Sequence, residues 1–274
     1  MALRGPALLG GGELRPLRLA WLYFKLGSLT ELQYRANFFI QLLQSVVAVG
    51  TALVVLKLVY SHTDELNGWS EPELQVVMGI QILLGGVIKM SIQPNMERLM
   101  NEVRDGKLDF ALTKPEDSQV FVSVREVRIW RAVDIVAGAL VLAYGINGLE
   151  AGVDVGDAAL FAAMLAVGAL TIYCFWLFIT TGAFWIVNTW SILELFEGVY
   201  ATGRWPVSIY PGWLRIGVTF LIPIAFAITV PAEAVTSRLG WGTVALAVAF
   251  CAALFVFTRW WWSFGLRRYS GASA

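Results

Sequence analysis

Charged side chains that could dock a partner protein are concentrated in one stretch, NMERLMNEVRDGKLDFALTKPED, at positions 95–117. Acidic and basic residues are mixed there within a few helical turns, and long apolar segments flank the stretch on both sides. The charged residues are Glu97, Arg98, Glu102, Arg104, Asp105, Lys107 and Asp109. The sequence therefore presents a charged connector in a chain that is otherwise apolar.

The apolar residues of this stretch recur at the spacing of one helix face, i, i+3, i+4 and i+7. Pro94 suits the first helical turn and Gly106 suits the C-terminal cap, so the pattern predicts a short amphipathic helix between them. The residues of the apolar stripe are Met96, Leu99, Met100 and Val103. Two interpretations remain open: a docking element for a soluble partner, or a solvated connector whose stripe rests on the helix bundle or the lipid surface.

The length of the connector favours docking. Links between neighbouring helices usually need about 2–8 residues, whereas positions 93–128 separate the two apolar segments here. We therefore expect a dedicated cytoplasmic element at 94–128.

The composition is that of a membrane protein, because 58% of the 274 residues are hydrophobic, only 15% are charged and 12 are tryptophans. A single histidine, His62, and two cysteines give no metal-binding or disulfide pattern, and Cys174 and Cys251 both lie in apolar runs. We expect inert core thiols and a solvated histidine. The net charge of zero gives no indication of nucleic-acid binding.

Apolar runs long enough to cross a bilayer as helices, about 20 residues, predict an all-α polytopic protein. Clear spans lie at 36–60, 74–93, 130–149, 158–181 and 242–262. One more span is expected from two weaker candidates. Residues 183–204 contain Glu194 and Glu197, and residues 213–235 are interrupted by Pro223 and Pro231.

The distribution of Lys and Arg predicts the orientation, since cytoplasmic loops carry the excess. Basic residues are frequent before the first span, in the 94–128 loop and in the C-terminal tail, and they are absent from 61–73 and 150–157. Both termini are therefore expected in the cytoplasm, which requires an even number of spans, and six is the simplest. Before the first span, 14–35 reads as an interfacial helix or, alternatively, as a charged leader that only sets orientation.

Motifs for catalysis are missing from the sequence. It contains no G-x-x-x-x-G-K-[ST] phosphate loop, no H-E-x-x-H and no G-x-S-x-G. We expect no enzyme activity, no cofactor or metal and no catalytic residue in this chain. Charged residues within spans are costly and become functional candidates. Glu194 and Glu197 are a possible polar pathway; alternatively they face an outer vestibule or pair with Arg204 or Arg215. Lys89, near the end of a span, is expected to reach the headgroups.

Two segments resemble a known family. RDGKLDFALTKP, at 104–115, and GRWPVSIYPGWLRIGVTFLIPIAFAITVPAEA, at 203–234, are similar to permease subunits of ABC transporters of the type-2 export family, in particular an uncharacterised bacterial branch. The resemblance implies six spans, an N-terminal interfacial helix, a cytoplasmic coupling helix that seats in a nucleotide-binding subunit, and an outer re-entrant hairpin. On this basis 183–204 is the fifth span, and 212–235 is the hairpin, turning near Pro223.

The resemblance also implies the function. Two six-span subunits, identical or related, would form the pathway of an exporter in the bacterial inner membrane, and separate ATPase subunits would bind ATP and Mg²⁺. The residues expected to couple to the ATPase are Met96, Arg98, Leu99, Glu102, Val103, Arg104, Asp105, Gly106 and Asp109. The substrate is not specified, although aromatic residues suit an amphipathic or lipid-like molecule. The alternatives are a secondary transporter, for which the internal repeats are missing, and an integral-membrane enzyme.

Overall fold

The computed structural model describes residues 21–25, 29, 35–149, 152–185 and 190–269. Within these residues the regular structure is helical, apart from one isolated bridge between Leu66 and Trp69. The α-helices are α1 (Arg35–Tyr60), α2 (Glu71–Val87), α3 (Gln93–Arg104), α4 (Asp109–Leu112), α5 (Ser118–Ser123), α6 (Ala132–Asn147), α7 (Val155–Thr181), α8 (Trp190–Tyr200), α9 (Gly212–Ile216), α10 (Val230–Val235) and α11 (Trp241–Leu266). The all-α prediction is confirmed.

Five helices of the described residues are long and apolar enough to cross a membrane. They are Ala36–Tyr60, Glu71–Arg104, Ile129–Asn147, Val155–Phe184 and Trp241–Leu266. A bent pair, Gly212–Leu221 with Ala225–Val235, meets the same test jointly but turns by 81° at its break. The chain is therefore a polytopic membrane protein with five such helices, or six if the bent pair is counted as one span.

The second of these helices is longer than the sequence predicted. We expected a span at 74–93 followed by a separate short helix, but α2 and α3 form one rod joined by a π-helical segment, Ile88–Ile92. Pro94 lies in the first turn of α3 and has no N–H to donate to the carbonyl of Met90, four residues earlier. That carbonyl accepts a hydrogen bond from the backbone N–H of Arg128 at 2.9 Å. A bond from the returning loop thus replaces the one that proline removes.

Glycines bring α2 and α6 into backbone contact. A Cβ on Gly79 would lie 2.5 Å from the backbone nitrogen of Leu142, and a Cβ on Gly138 would overlap the backbone of Leu83. Gly86 and Gly145, each two helical turns further along its own helix, also face the opposite helix closely. Small residues at such spacing allow membrane helices to approach each other and gain dispersion contacts.

Contacts at the two ends of the bundle show where α8 and the bent pair run. The Asn67 amide donates to the carbonyl of Ser208 at 2.7 Å, and Ser237 donates to the Asp157 carboxylate at 3.2 Å, so both flanks of the bent pair lie at the predicted outer end. Phe184 instead packs against Trp262 at the opposite end. α8 and the 3₁₀ turn after it, Ala201–Arg204, thus connect opposite ends of the bundle.

This arrangement is the one that the predicted fifth span at 183–204 and the re-entrant hairpin at 212–235 require. No single long helix covers 183–204: a 3₁₀ turn at Gly182–Phe184 precedes α8, and residues 186–189 lie outside the described part of the chain. The bent pair packs inward, because Gly168 of α7 lies against the backbone of Ala227. The membrane assignments of both segments stay predictions.

The predicted interfacial helix at 14–35 falls mostly outside the described residues. Residues 21–25 are helical. Trp21 is exposed and its ring stacks on Phe24, while the ring of Tyr23 meets that of Phe121 edge-on at 6.0 Å. Cys174 and Cys251 are buried free thiols, as expected.

Candidate functional site

The predicted amphipathic helix is present as α3, but its apolar stripe faces the protein's own bundle. Met96, Leu99 and Met100 are buried, and Val103 is partly buried against the same core. Gly106 has φ of +69°, a left-handed conformation that favours glycine, and it ends the helix as predicted. The Lys107 N–H donates back to the carbonyl of Glu102 at 2.8 Å, as in a Schellman cap.

The charged face of α3 is paired with the returning segment of the same loop. We call these three ion pairs the clasp: Glu97 with Arg128 at 2.7 Å, Arg98 with Glu126 at 3.3 Å, and Glu102 with Arg125 at 2.7 Å. The third pair is bidentate, and the Arg125 side chain is only 4% exposed. Arg98 and Glu102, predicted to meet an ATPase, therefore already have partners within the chain.

Asn95 joins the same two segments and was missed by the sequence reasoning. It is fully buried. Its side-chain amide donates to the carbonyls of Ser91 at 2.6 Å and Glu126 at 2.7 Å, and its oxygen accepts from the Glu126 N–H at 2.9 Å. This buried asparagine thus satisfies both backbone groups of Glu126. A polar residue on the apolar side of the predicted helix was the available signal.

Beyond the clasp, residues 104–114 form a tip on which Arg104, Lys107 and Phe110 are exposed, whereas Leu108 and Ala111 are buried beneath it. Arg104 and Lys107 both bond the Asp105 carboxylate, at 3.3 and 3.2 Å, and the Lys107 bond is the main cause that lowers the pKa of Asp105. Asp109 is the first residue of α4, and the next, Phe110, is 77% exposed. Sequence reasoning missed Phe110. An apolar side chain of this size among exposed charges is typical of a contact surface.

The loop is also attached to the last helix. The backbone N–H of Leu108 donates to the Tyr269 hydroxyl at 3.2 Å. Asp117 caps α5 by accepting from the Val120 N–H, and its carboxylate also binds the Arg259 guanidinium at 2.9 Å. The hydrogen bond from Arg259 is the main cause that lowers the pKa of Asp117. The loop consequently contacts both α3 and α11.

Of the two predicted pathway acids, only Glu197 lines a cavity. Its carboxylate accepts from the Gln93 amide at 3.0 Å, and the cavity measures about 410 Å³ between α1, α2 and α8. Glu194 is exposed and does not line it. The alternative of pairing with Arg215 is wrong, because that side chain donates to backbone carbonyls of the preceding turn. Arg204 lines the same cavity without bonding to either acid.

Lys89 lies in the π-helical segment that joins α2 to α3, and it lines the same cavity. Its predicted place near the end of a span stays a prediction. The remaining predicted site residue, Pro223, is buried at the break of the bent pair, next to a 2.6 Å hydrogen bond from the Ile224 N–H to the Ile222 carbonyl. Its place agrees with a turn position.

Five helices of the described residues that are long enough to cross a bilayer, with an ion-paired loop at one end, define a multi-pass membrane protein. The chain belongs to the ABC-2 transporter family, because residues 46–273 match the family model described as "ABC-2 family transporter protein". The comparisons with curated proteins and with solved structures gave no match. The resemblance to ABC-2 type permeases is thereby confirmed.

Proposed function

We propose that the chain is the permease subunit of an ATP-driven exporter in the cytoplasmic membrane. Two such subunits, identical or related, form the pathway, and separate ATPase subunits bind ATP and Mg²⁺ and contact the cytoplasmic loops. Membership of the ABC-2 family supports this assignment. The sequence has no phosphate-binding loop of its own, so hydrolysis belongs to a partner.

The observation that carries the proposal is the continuous α2–α3 rod, which ends in an exposed tip. A force applied at the tip reaches α2 directly along the rod. The clasp and Asn95 tie the rod to the segment that leads into α6, so α2 and α6 move together. A loop built in this way transmits motion, whereas a solvated connector needs neither the rod nor the buried pairing.

The contacts within the loop also indicate which residues meet the ATPase. Arg98 and Glu102 are held by the clasp, so we assign them to transmission. Arg104, Lys107 and Phe110 are exposed, so we assign them to the ATPase contact. Phe110 is then the apolar anchor of the interface, with the surrounding charges as its rim.

Copurification tests this assignment. The full chain, expressed with the genes that neighbour its own, should capture a subunit carrying a phosphate-binding loop, and Phe110→Asp should reduce capture by about tenfold or more. Val155→Asp is the matched control, because Val155 is 83% exposed at the start of α7, at the opposite end of the bundle. Transport by the chain alone, with no ATPase captured, would show a secondary transporter instead.

The orientation is tested separately with single cysteines in a variant lacking Cys174 and Cys251. A cysteine at Asp64 should react with an impermeant thiol reagent in intact cells, and one at Lys114 should not; both positions are exposed. The reverse labelling would place the clasp outside the cell and remove the ATPase contact.

The same cysteine-labelling assay tests the re-entrant hairpin. Cysteines at Gly212 and Ser237, both exposed, should each be labelled from outside, because the two flanks of the bent pair share one end of the bundle. Labelling at Ser237 alone would make the bent pair a complete span.

A further inference from the structure

The cavity between α1, α2 and α8 is the feature that the proposed coupling mechanism leaves unused. We propose that it binds the anionic headgroup of an amphiphile, a phosphate, sulfate or carboxylate attached to an alkyl chain. This inference rests on the proposed function, because it names the class of molecule that the exporter carries.

Two cations in the lining have no partner among the described residues. Lys89 and Arg204 line the cavity, and neither has a hydrogen bond or ion pair with the part of the chain that the structure describes. The two acids of the lining are both engaged: Asp134 with Arg131 at 3.5 Å, and Glu197 with the amide of Gln93. The lining has three cations against two carboxylates, so an anion would balance its charge.

Neutral groups of the lining point to the same ligand chemistry. The hydroxyl of Ser45 and the indole N–H of Trp176 are buried and have no hydrogen-bond partner within the part of the chain that the structure describes. An indole nitrogen only donates, and a hydroxyl can donate, so the complementary ligand carries acceptor oxygens. Buried polar groups are normally satisfied. A bound oxyanion would accept from the cations Lys89 and Arg204, and it would reach the enclosed donors of Ser45 and Trp176 only after these side chains turn toward the cavity.

The position of Lys89 supports a binding role over a structural one. A lysine in a helix long enough to cross a membrane is costly where lipid surrounds it, unless it reaches water, a partner or a ligand. It lies in the π-helical segment Ile88–Ile92, and π-helical turns inside α-helices occur frequently at functional sites. Arg204, at the end of the 3₁₀ turn that follows α8, lies in the same lining as Glu197 of α8, so this segment carries charges of both signs.

The size and the opening of the cavity specify an amphiphile. Small-molecule sites measure about 300–1,000 Å³, and 410 Å³ accommodates a headgroup with the first carbons of a chain but not complete lipid tails. Apolar residues such as Val49 and Ile82 lie beside the polar ones. Gln44 and Ala48 of the lining are exposed, so the cavity opens along α1, where an alkyl chain can leave it.

Photolabelling of the purified full chain in maltoside micelles tests the proposal. The probe is dodecyl phosphate with a diazirine near its phosphate end, and the labelled peptides are identified by mass spectrometry. We expect labelling of α2 and of the segment containing Arg204. Unlabelled dodecyl phosphate should compete about tenfold more strongly than zwitterionic dodecylphosphocholine. Equal competition by the two, or labelling elsewhere, would overturn the anionic assignment.

Two sets of variants, expected to change the apparent affinity for dodecyl phosphate in opposite directions, complete the test. Lys89→Gln with Arg204→Gln should lower the apparent affinity by about tenfold or more, whereas Glu197→Gln should raise it several-fold, because it removes the opposing carboxylate. Lys57→Gln with Arg267→Gln is the charge-matched control outside the cavity. If the first pair does not fold, the rise in Glu197→Gln decides, and its absence overturns the proposal.

The assay uses the isolated chain, so it is independent of the ATPase. Capture of an ATPase without labelling in the cavity would support the proposed function and contradict the anionic ligand. Labelling as expected without capture of an ATPase would contradict the exporter function and support the binding site.

Discussion

The two halves of the α2–α3 rod are held in place by different interactions. In α2, Gly79 and Gly86 bring the backbone against α6, with no polar contact needed. In α3, the same role falls to the clasp and to Asn95. Lipid gives apolar side chains no reason to associate, so close packing of small residues holds the membrane half. The loop half borders water, where charged groups can pair. The membrane half is therefore held by shape, whereas the loop half adds charges that a partner can perturb to its buried stripe of Met96, Leu99 and Met100.

The largest effect should come from filling the glycine contact. Gly79→Leu would drive side-chain atoms into the Leu142 backbone, and neither helix can withdraw without losing the rest of the interface. We expect loss of most folded protein, since adding even a few methylenes to a packed core costs about 1–3 kcal/mol. Size-exclusion profiles of a fluorescent fusion measure the folded fraction. Gly50→Leu, in α1 with no neighbouring atom within 4 Å, is the control. Equal yields would disprove the backbone contact.

Breaking the buried pair of the clasp should rank second. Glu102→Ala leaves the Arg125 guanidinium buried and unpaired, which should cost the loop about 2–3 kcal/mol, below the cost for a fully buried pair because Glu102 is partly exposed. Hydrogen exchange of amides 105–128 should accelerate while exchange in α6 stays unchanged. The exchanged pair Glu102→Arg with Arg125→Glu should recover part of the loss. Identical loss in the single and exchanged variants would show that the charges do not interact.

Removing the Asn95 side chain should have a somewhat smaller effect. Asn95→Ala leaves the N–H and carbonyl of the partly buried Glu126 without their partners, at about 1–3 kcal/mol. The same hydrogen-exchange experiment should show faster exchange at amides 124–128, because Asn95 no longer holds this part of the returning segment against α3. Asn101→Ala, on the same helix, is the matched control. If both variants exchange alike, the asparagine is not a joint between the two segments.

These differences show what the sequence could and could not predict. The stripe of Met96, Leu99 and Met100 predicted α3 correctly, and Gly106 marked its end, because both signals are local. The continuity of α3 with α2 was not predictable, because a proline such as Pro94 normally starts a helix. The Met90 carbonyl that Pro94 leaves free accepts instead from the N–H of Arg128, 34 positions after the proline. The partners of the charged face were likewise set by tertiary structure.

The glycine contact and the cavity were missed for a similar reason. Glycines in apolar segments are common, and their spacing gains meaning only once the facing helix is known. The cavity that Lys89 lines is formed by helices that are distant in sequence, so no local signal could show it. The apolar composition, in contrast, was enough to establish the membrane class, because it depends on no contact.

The smallest effect concerns the pairing of Asp117 with Arg259, which is largely solvent-exposed. The guanidinium lowers the pKa of Asp117 in the folded protein, so the pair stabilises the loop above the unfolded pKa, about 3.9, and this is lost as the pH falls through the lower folded value. Between pH 6 and 8 the contribution is constant. We expect it to be at most about 1 kcal/mol.

Asp117→Asn keeps a good helix cap but removes the charge. Exchange of the α5 amides should therefore rise below about pH 4 in the parent relative to this variant, once corrected for intrinsic rates. If the exchange rates of the parent and of Asp117→Asn differ at pH 7 and the difference stays the same in acid, the Asp117 carboxylate acts only as a helix cap. Its charge would then not stabilise the loop.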